Sequence, residues 1–154
     1  MSFKILSIYT DGACSGNPGP AGIGVVIKNG EEKVKEISRP IGIATNNIAE
    51  YTALIVALEE ALALKAQAVD VTTDSELMCK QITGVYAVKH ENIIPLFEQV
   101  KQLAKQFSAF HIKHVKREFN KEADKLSTQA IKKISQDGRP AIADGGEESP
   151  SSKG

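Results

Sequence analysis

The chain has 154 residues, of which 42% are hydrophobic and 25% are charged. This length suits one ordinary domain, and the apolar fraction excludes a chain that is disordered throughout. Its 19 basic and 19 acidic residues cancel, yet residues 1–79 carry a net charge of −4 and residues 80–134 a net charge of +6. The two halves could hold a cation and a phosphate backbone, although two ordinary solvated surfaces would have the same asymmetry.

Three features of the sequence bear on where the protein works. It has no run of about 18 apolar residues, which a membrane-spanning helix requires, and its N-terminus lacks the pattern of a signal peptide. Cys14 and Cys79 are too few and too far apart to indicate a disulfide framework or a zinc site. We therefore expect a cytoplasmic protein without a membrane partner, and a monomer, because no repeated apolar surface pattern indicates an interface.

The first third of the chain has the pattern of three strands. Residues 3–9 are a short apolar run, and two further runs, residues 22–28 and 33–38, flank Asn29-Gly30, a strong hairpin signal. The stretch between the first two runs, CSGNPGPAG, is full of turn-forming residues and predicts a loop. We expect these strands to form an antiparallel meander.

Helices and strands alternate after the meander. The pattern predicts helices over 48–64, 75–82, 91–107 and 120–134, and buried strands over 69–73 and 109–115. This order predicts an α/β fold with a five-stranded mixed sheet, three antiparallel strands followed by parallel ones, flanked by helices on both faces. We expect residues 1–134 to form this domain. Residues 135–154, rich in Gly, Ser, Pro and acid, are predicted to be a disordered tail.

Four acidic residues stand near the ends of predicted elements. Asp11 is placed just past the first strand, and Asp74 follows the strand 69–73. If these two strands are parallel neighbours, both carboxylates emerge at the same edge of the sheet. Glu50 and Asp124 are placed in the first turns of two predicted helices, which chain reversal could bring to that edge.

Each of these acids also has a purely structural interpretation. Asp11 could make a turn, and Glu50 could form a capping box with Asn47. Asp74 could cap a helix, and Asp124 could complement a helix dipole. Spacing alone does not decide between these interpretations and a shared site. Carboxylates without Cys or His would suit Mg²⁺ or Mn²⁺, and several at one edge could hold two ions for phosphodiester hydrolysis.

Four ordered motifs resemble those of type 1 ribonuclease H, over about residues 3–134. They are YTDGACSGNPGPAG around Asp11, TNNIAEYTAL around Glu50, TDS around Asp74 and NKEAD before and including Asp124. The resemblance implies a ribonuclease H-like fold. It also implies a metal-dependent endoribonuclease that cuts the RNA strand of RNA/DNA hybrids and leaves 3′-hydroxyl and 5′-phosphate ends.

The resemblance further implies the residues of the site. Asp11, Glu50, Asp74 and Asp124 fall on the family's metal-binding carboxylates, for two Mg²⁺ ions with Mn²⁺ as a possible substitute. One ion would activate the attacking water and the other would stabilise the leaving oxygen. The residues implied in substrate binding are Cys14 and Asn17, for the RNA 2′-hydroxyls, and Thr45 and Asn46, for a DNA-strand phosphate and the adjacent minor groove.

The chain departs from the family pattern in three places. Residues 84–90 are short and lack Trp where many members carry a basic protrusion that grips the DNA strand, which predicts weaker and salt-sensitive hybrid binding. The loop before the last acid lacks the family's His; His114 is close by but on a strand, and Arg117 or Lys116 could contact the scissile phosphate instead. Glu76 stands where a neutral amide often meets the minor groove, and its role stays open.

Two alternative functions compete with this interpretation. One is a hybrid- or duplex-binding protein of the same fold with little or no turnover. The four acids argue against it, since a binder gains nothing from anions that face phosphates, while the missing protrusion and His favour it. The other is a DNA-cutting domain of the transposase or resolvase kind, which would need further DNA-binding domains.

Overall fold

The computed structural model describes residues 2–133, in which nine helices and strands follow the predicted order. The strands and helices are β1 Phe3–Cys14, β2 Gly19–Asn29, β3 Glu32–Ala44, α1 Asn46–Ala63, β4 Ala66–Thr73, α2 Glu76–Ile82, α3 Ile94–Ala104, β5 Ala109–His114 and α4 Lys121–Ile131. A short 3₁₀ turn, Arg117–Phe119, precedes α4. The predicted tail lies outside the described residues, and both the tail and the domain boundary stay predictions.

The predicted five-stranded mixed sheet is confirmed. Its strand order is β3-β2-β1-β4-β5. The pairs β1–β2 and β2–β3 are antiparallel, and the pairs β1–β4 and β4–β5 are parallel. The three-strand meander is thus joined through β1 to the two strands that follow the crossovers.

Helices cover both faces of the sheet. On one face α1 packs against β1 and β2, with α3 beside it, over a core that includes Leu6, Ile8, Leu54 and Leu58. On the other face α4 packs against β1, β2 and β3. Successive residues of a strand point to opposite faces, so one strand can serve both helix layers. Within residues 2–133, no helix combines the length and apolar character that crossing a membrane requires.

Four strands are longer than predicted. β2 begins at Gly19 and β4 at Ala66, each three residues earlier than predicted, and the differences are largest in β1 and β3. β1 continues past the predicted end at residue 9, because residues 11–14 pair in register with residues 21–24 of β2. The Gly-rich stretch that predicted a long loop is therefore mostly paired strand. β3 continues past residue 38 to Ala44 as an edge strand, the position in a sheet where a proline such as Pro40 is tolerated.

Candidate active site

The four predicted acids surround one open cleft of about 240 Å³. It lies where β4 ends beside β1, with Thr10 and Thr73 as the last paired residues of the two parallel strands. The residues that line it are Asp11, Gly12, Ala13, Cys14, Asn46, Glu50, Asp74, Arg117 and Asp124. One cleft thus collects residues from β1, from the start of α1, from the end of β4 and from the segment that leads into α4.

Asp11 lies within β1, opposite Gly24 of β2, so the prediction that it lies past the strand was wrong. Only 3% of the residue is exposed, and its Oδ2 accepts a hydrogen bond from the hydroxyl of Ser127 on α4. Burial raises the pKa of Asp11 to about 8, and the nearby charge of Asp74 adds to that rise while the Ser127 hydrogen bond opposes it. The carboxyl is therefore costly to ionise without a cation.

Glu50 lies past the first turn of α1, whereas it was predicted within that turn, and the alternative interpretation of Glu50 as part of a capping box does not apply. Thr45 is the N-cap, and its Oγ1 accepts from the amide of Ile48 at 3.2 Å. The Oε1 of Glu50 instead accepts from the amide of Gly12 on β1 at 3.1 Å. Burial first, and then the charges of Asp11 and Asp74, raise the pKa of Glu50 well above its ordinary value.

Asp74 follows β4 directly, as predicted, and it does not cap α2. That role falls to Ser75, whose Oγ accepts from the amide of Met78 at 3.2 Å. The buried amide of Asn120 lies beside Asp74. Its Nδ2 donates to the carbonyl of Thr10 at 2.9 Å and to Asp74 Oδ1 at 3.4 Å. Asn120 belongs to the fourth sequence motif, but sequence reasoning assigned it no role.

Three of the acids form a compact set of oxygen ligands. Asp11, Glu50 and Asp74 each offer an oxygen, and these oxygens all lie within 4.8 Å of one another. Oxygen donors with a surplus of negative charge fit a hard divalent cation such as Mg²⁺ or Mn²⁺. The raised pKa values of Asp11 and Glu50 agree with this fit, because a bound cation would favour their ionised forms.

Asp124 lines the same cleft but stands outside the set of three. It lies in the first turn of α4, as predicted, and its Oδ1 accepts from Arg117 Nη2 at 3.0 Å. The Arg117 side chain is 72% exposed and lines the cleft, whereas Lys116 and His114 do not line it. The fourth acid is thus paired with a cation that the chain itself supplies.

The residues predicted to bind substrate are joined to one another. The backbone amide of Asn46 donates to Asn17 Oδ1 at 3.0 Å, and the Cys14 thiol donates to Asn46 Oδ1 at 3.1 Å. Cys14 and Asn46 line the cleft, while Asn17 and Thr45 do not. These contacts fix the β1–β2 turn against the start of α1. Within residues 2–133, the side-chain amide nitrogens of Asn17 and Asn46 donate to no protein acceptor.

Glu76, whose role the sequence left open, lies at the start of α2. Its Oε2 is 2.9 Å from Lys80 Nζ, and the hydrogen bond from Lys80 lowers the pKa of Glu76. Lys80 in turn stands over the ring of Tyr86, 5.2 Å from its centroid. This carboxylate is therefore neutralised at the surface and does not line the acidic cleft.

Comparisons with known proteins agree with this fold. A family model described as "Reverse transcriptase-like" matches residues 9–130. Ribonuclease HI of Halobacterium salinarum is 40% identical over 124 residues, which cover 80% of this chain and 62% of that protein. The bifunctional protein Rv2228c of Mycobacterium tuberculosis is 40% identical over 126 residues, which cover 80% of this chain. This chain therefore spans only about a third, 35%, of the length of that protein.

Solved structures extend these similarities to three dimensions. The crystal structure of ribonuclease H1 from H. salinarum superposes with a TM-score of 0.81 at 38% identity, covering 83% of this chain and 98% of that chain. LC11-ribonuclease H1, solved in complex with an RNA/DNA hybrid, gives 0.78 at 42% identity, with coverage of 83% and 97%. A mixed sheet of this order with an acidic cleft at its edge defines the ribonuclease H-like class of protein. The chain belongs to the type 1 ribonuclease H family.

Proposed function

We propose that the protein is an endoribonuclease that hydrolyses the RNA strand of RNA/DNA hybrids and leaves 3′-hydroxyl and 5′-phosphate ends. The observation that carries the proposal is the set of Asp11, Glu50 and Asp74, whose oxygens lie within 4.8 Å in an open cleft of a ribonuclease H fold. Facing a polyanion, such a set makes physical sense only with cations between the two. The complex of LC11-ribonuclease H1 with a hybrid supports the choice of substrate.

The same residues are proposed to hold the metal. Asp11, Glu50 and Asp74 would supply the first ligands, and Asp124 would join them when it leaves Arg117. Two Mg²⁺ ions, with Mn²⁺ as a possible substitute, would make water more acidic and stabilise the leaving oxygen of the phosphodiester. The protein's own contribution is to hold the carboxylates close together on one side of an open cleft, where a bound cation would favour their ionised forms.

Substrate recognition is proposed to use the groups beside the acids. The side-chain amide nitrogens of Asn17 and Asn46, which donate to no protein acceptor among residues 2–133, can donate to sugar or phosphate oxygens along a shallow minor groove. Arg117, exposed at the rim of the cleft, can approach a phosphate as a planar cation. A cytoplasmic location and a monomeric state also remain proposals, which rest on the sequence alone.

Cleavage of an end-labelled RNA/DNA hybrid in Mg²⁺ and in Mn²⁺ tests the proposal. We expect metal-dependent cutting of the RNA strand, reduced roughly a thousandfold or more in Asp11→Asn, because that change removes a central carboxylate. Asp70→Asn is the matched control, since Asp70 lies exposed on β4 and outside the cleft. All-DNA and all-RNA duplexes test the choice of substrate.

The alternative function predicts a different result. A chain that binds the hybrid but does not cut it in either metal would be a binding protein on a nuclease scaffold. Cutting that persists at the wild-type rate in Asp11→Asn would show that the acidic cleft is not the active site.

A further inference from the structure

Ser127 lies on α4, fully buried, directly beneath the acidic cleft. Its hydroxyl contacts two of the acids in different ways. It is hydrogen-bonded to Asp11 Oδ2, and it lies 2.9 Å from the main-chain carbonyl of Asp124. One side chain thus joins the carboxylate of one acid to the backbone of another, from a helix that crosses the opposite side of the sheet from α1.

The hydroxyl reaches Asp11 because α4 lies unusually close to the sheet. Ala123, Ser127 and Ala130, the buried residues of the helix, are all small. Ala123 and Ser127 face β2 at Gly24, the partner of Asp11 in the sheet, where an added Cβ would lie 2.7 Å from the backbone amide of Ser127, and Ala130 faces Gly22 of the same strand. A side chain as short as serine can therefore bridge the gap between helix and strand.

Asp11 has little else to orient it. Within residues 2–133, the Asp11 carboxylate accepts one hydrogen bond from a side-chain hydroxyl or nitrogen, and Ser127 is the donor. Its other close neighbours in the cleft are the carboxylates of Glu50 and Asp74, which repel it when they are ionised. A carboxylate offers about four lone-pair positions, so one hydrogen bond on the buried side leaves the others available to the cleft.

We propose that Ser127 is a positioning residue, whose hydroxyl orients the Asp11 carboxylate for the divalent cation that the site takes up. The inference rests on the proposed function, because it assumes that the acidic cleft holds a metal. Hydrogen-bond partners behind a metal ligand commonly change metal affinity or activity by about 10- to 100-fold when removed. Ser127 touches no group on the open side of the cleft, so its loss should not change contacts with the hybrid.

The test compares Ser127→Ala with Thr128→Ala, which removes a hydroxyl from the adjacent, exposed position of the same helix. Binding of Mg²⁺ and Mn²⁺ to the full chain is measured by calorimetry without substrate. Cleavage of the hybrid is then followed over a range of metal concentrations. We expect about tenfold weaker metal binding in Ser127→Ala, a matching rise in the metal concentration for half-maximal cleavage, and an unchanged KM for the hybrid.

The outcomes separate this inference from the proposed function. Equal metal affinity in Ser127→Ala and Thr128→Ala would overturn the positioning role, whatever the activity. Weaker metal binding by Ser127→Ala, with a wild-type chain that binds metal but cuts no hybrid, would support the role and reject the proposed nuclease. If Ser127→Ala fails to fold, Ser127→Cys keeps the packing with a weaker donor, and wild-type metal affinity in that variant would overturn the inference.

Discussion

The two sides of the acidic cleft manage negative charge differently. On the inner side of the cleft, which β1, α1 and the end of β4 form, Asp11 and Glu50 have no cationic side chain within salt-bridge distance among the described residues, and burial raises the pKa of both. On the α4 side, Asp124 is paired with Arg117 at 3.0 Å. The negative charge of the inner side can be compensated only by a cation from solution, whereas the α4 side has a compensating cation of its own, Arg117.

Neutral donors hold the inner side in place. The hydroxyl of Ser127 and the amide of Gly12 bind Asp11 and Glu50, respectively, and the amide of Asn120 reaches Asp74. Such donors orient a carboxylate without cancelling its charge. The comparison therefore teaches that orientation and neutralisation are separate tasks in this site, performed by different groups.

Changing a neutral donor into an acid should break the inner side most severely. In Asn120→Asp, a carboxylate would face the carbonyl of Thr10 and the carboxylate of Asp74 at a position that is 2% exposed. We expect the free energy of unfolding to fall by about 3 kcal/mol, because the two hydrogen bonds that the amide donates are lost and the new buried carboxylate is repelled by Asp74. Urea unfolding measures it. The same change at exposed Asn92 should stay within about 0.5 kcal/mol, and equal effects at both positions would contradict the role of Asn120.

Removing charge from the inner side should stabilise the metal-free protein. Because the pKa of Asp11 rises from 3.8 to about 8, the folded state keeps a proton that the unfolded state loses between these values. Stability without metal should therefore fall as the pH rises from about 4 to about 8. Asp11→Asn should raise the Tm by several degrees at about pH 8, equivalent to about 1–2 kcal/mol, and by little at about pH 4.

Thermal unfolding in a chelator, at a series of pH values, provides that measurement. Asp70→Asn again serves as the control, because Asp70 is exposed and outside the cleft. Added Mg²⁺ should reduce the difference between Asp11→Asn and wild type at high pH. A wild-type Tm that does not depend on pH, together with no rise in the Tm of Asp11→Asn, would contradict the conclusion that the negative charge of the inner side is uncompensated.

Removing the internal cation should have the smallest effect of the three. We expect Arg117→Ala to lower kcat about tenfold with little change in KM. That is less than a buried donor commonly gives, because the guanidinium is 72% exposed and screened by water. Lys116→Ala removes a neighbouring cation that does not line the cleft and should retain activity. Unchanged kcat and KM in Arg117→Ala would exclude a role for the internal cation in the reaction.

The sequence predicted the order of all the elements but not all of their ends. The spacing of apolar residues indicates helices and strands because each element turns one side toward the core. This spacing located α1 and β4. It failed at residues 11–14, where Gly and Cys suggest a loop although the backbone pairs with residues 21–24. Strand pairing is a main-chain interaction, and in a Gly-rich stretch it leaves no side-chain pattern to detect.

The site was predicted as a set of acids but not as a set of contacts. Motif order led to the four carboxylates that surround the cleft. A capping box was one of the two interpretations of Glu50, and spacing alone could not exclude it, because its actual partner, Gly12, lies 38 positions away in the chain. Ser127 and Asp11 are 116 positions apart, and no local pattern could join them. Contacts of this kind depend on how closely α1 and α4 approach the sheet, which is a property of the tertiary packing.

The close contact between α4 and Gly24 implies an unequal tolerance of mutation across the molecule. Here main chain rests on main chain, since a Cβ at Gly24 would overlap the carbonyl of Ala123. No side-chain volume is available to be redistributed there. Even one methyl group added at Gly24 must therefore displace α4, together with the residues of α4 that line or support the cleft. On the α1–α3 face, large aliphatic side chains can exchange shape while total volume is kept. Stabilising substitutions should therefore be sought on that face.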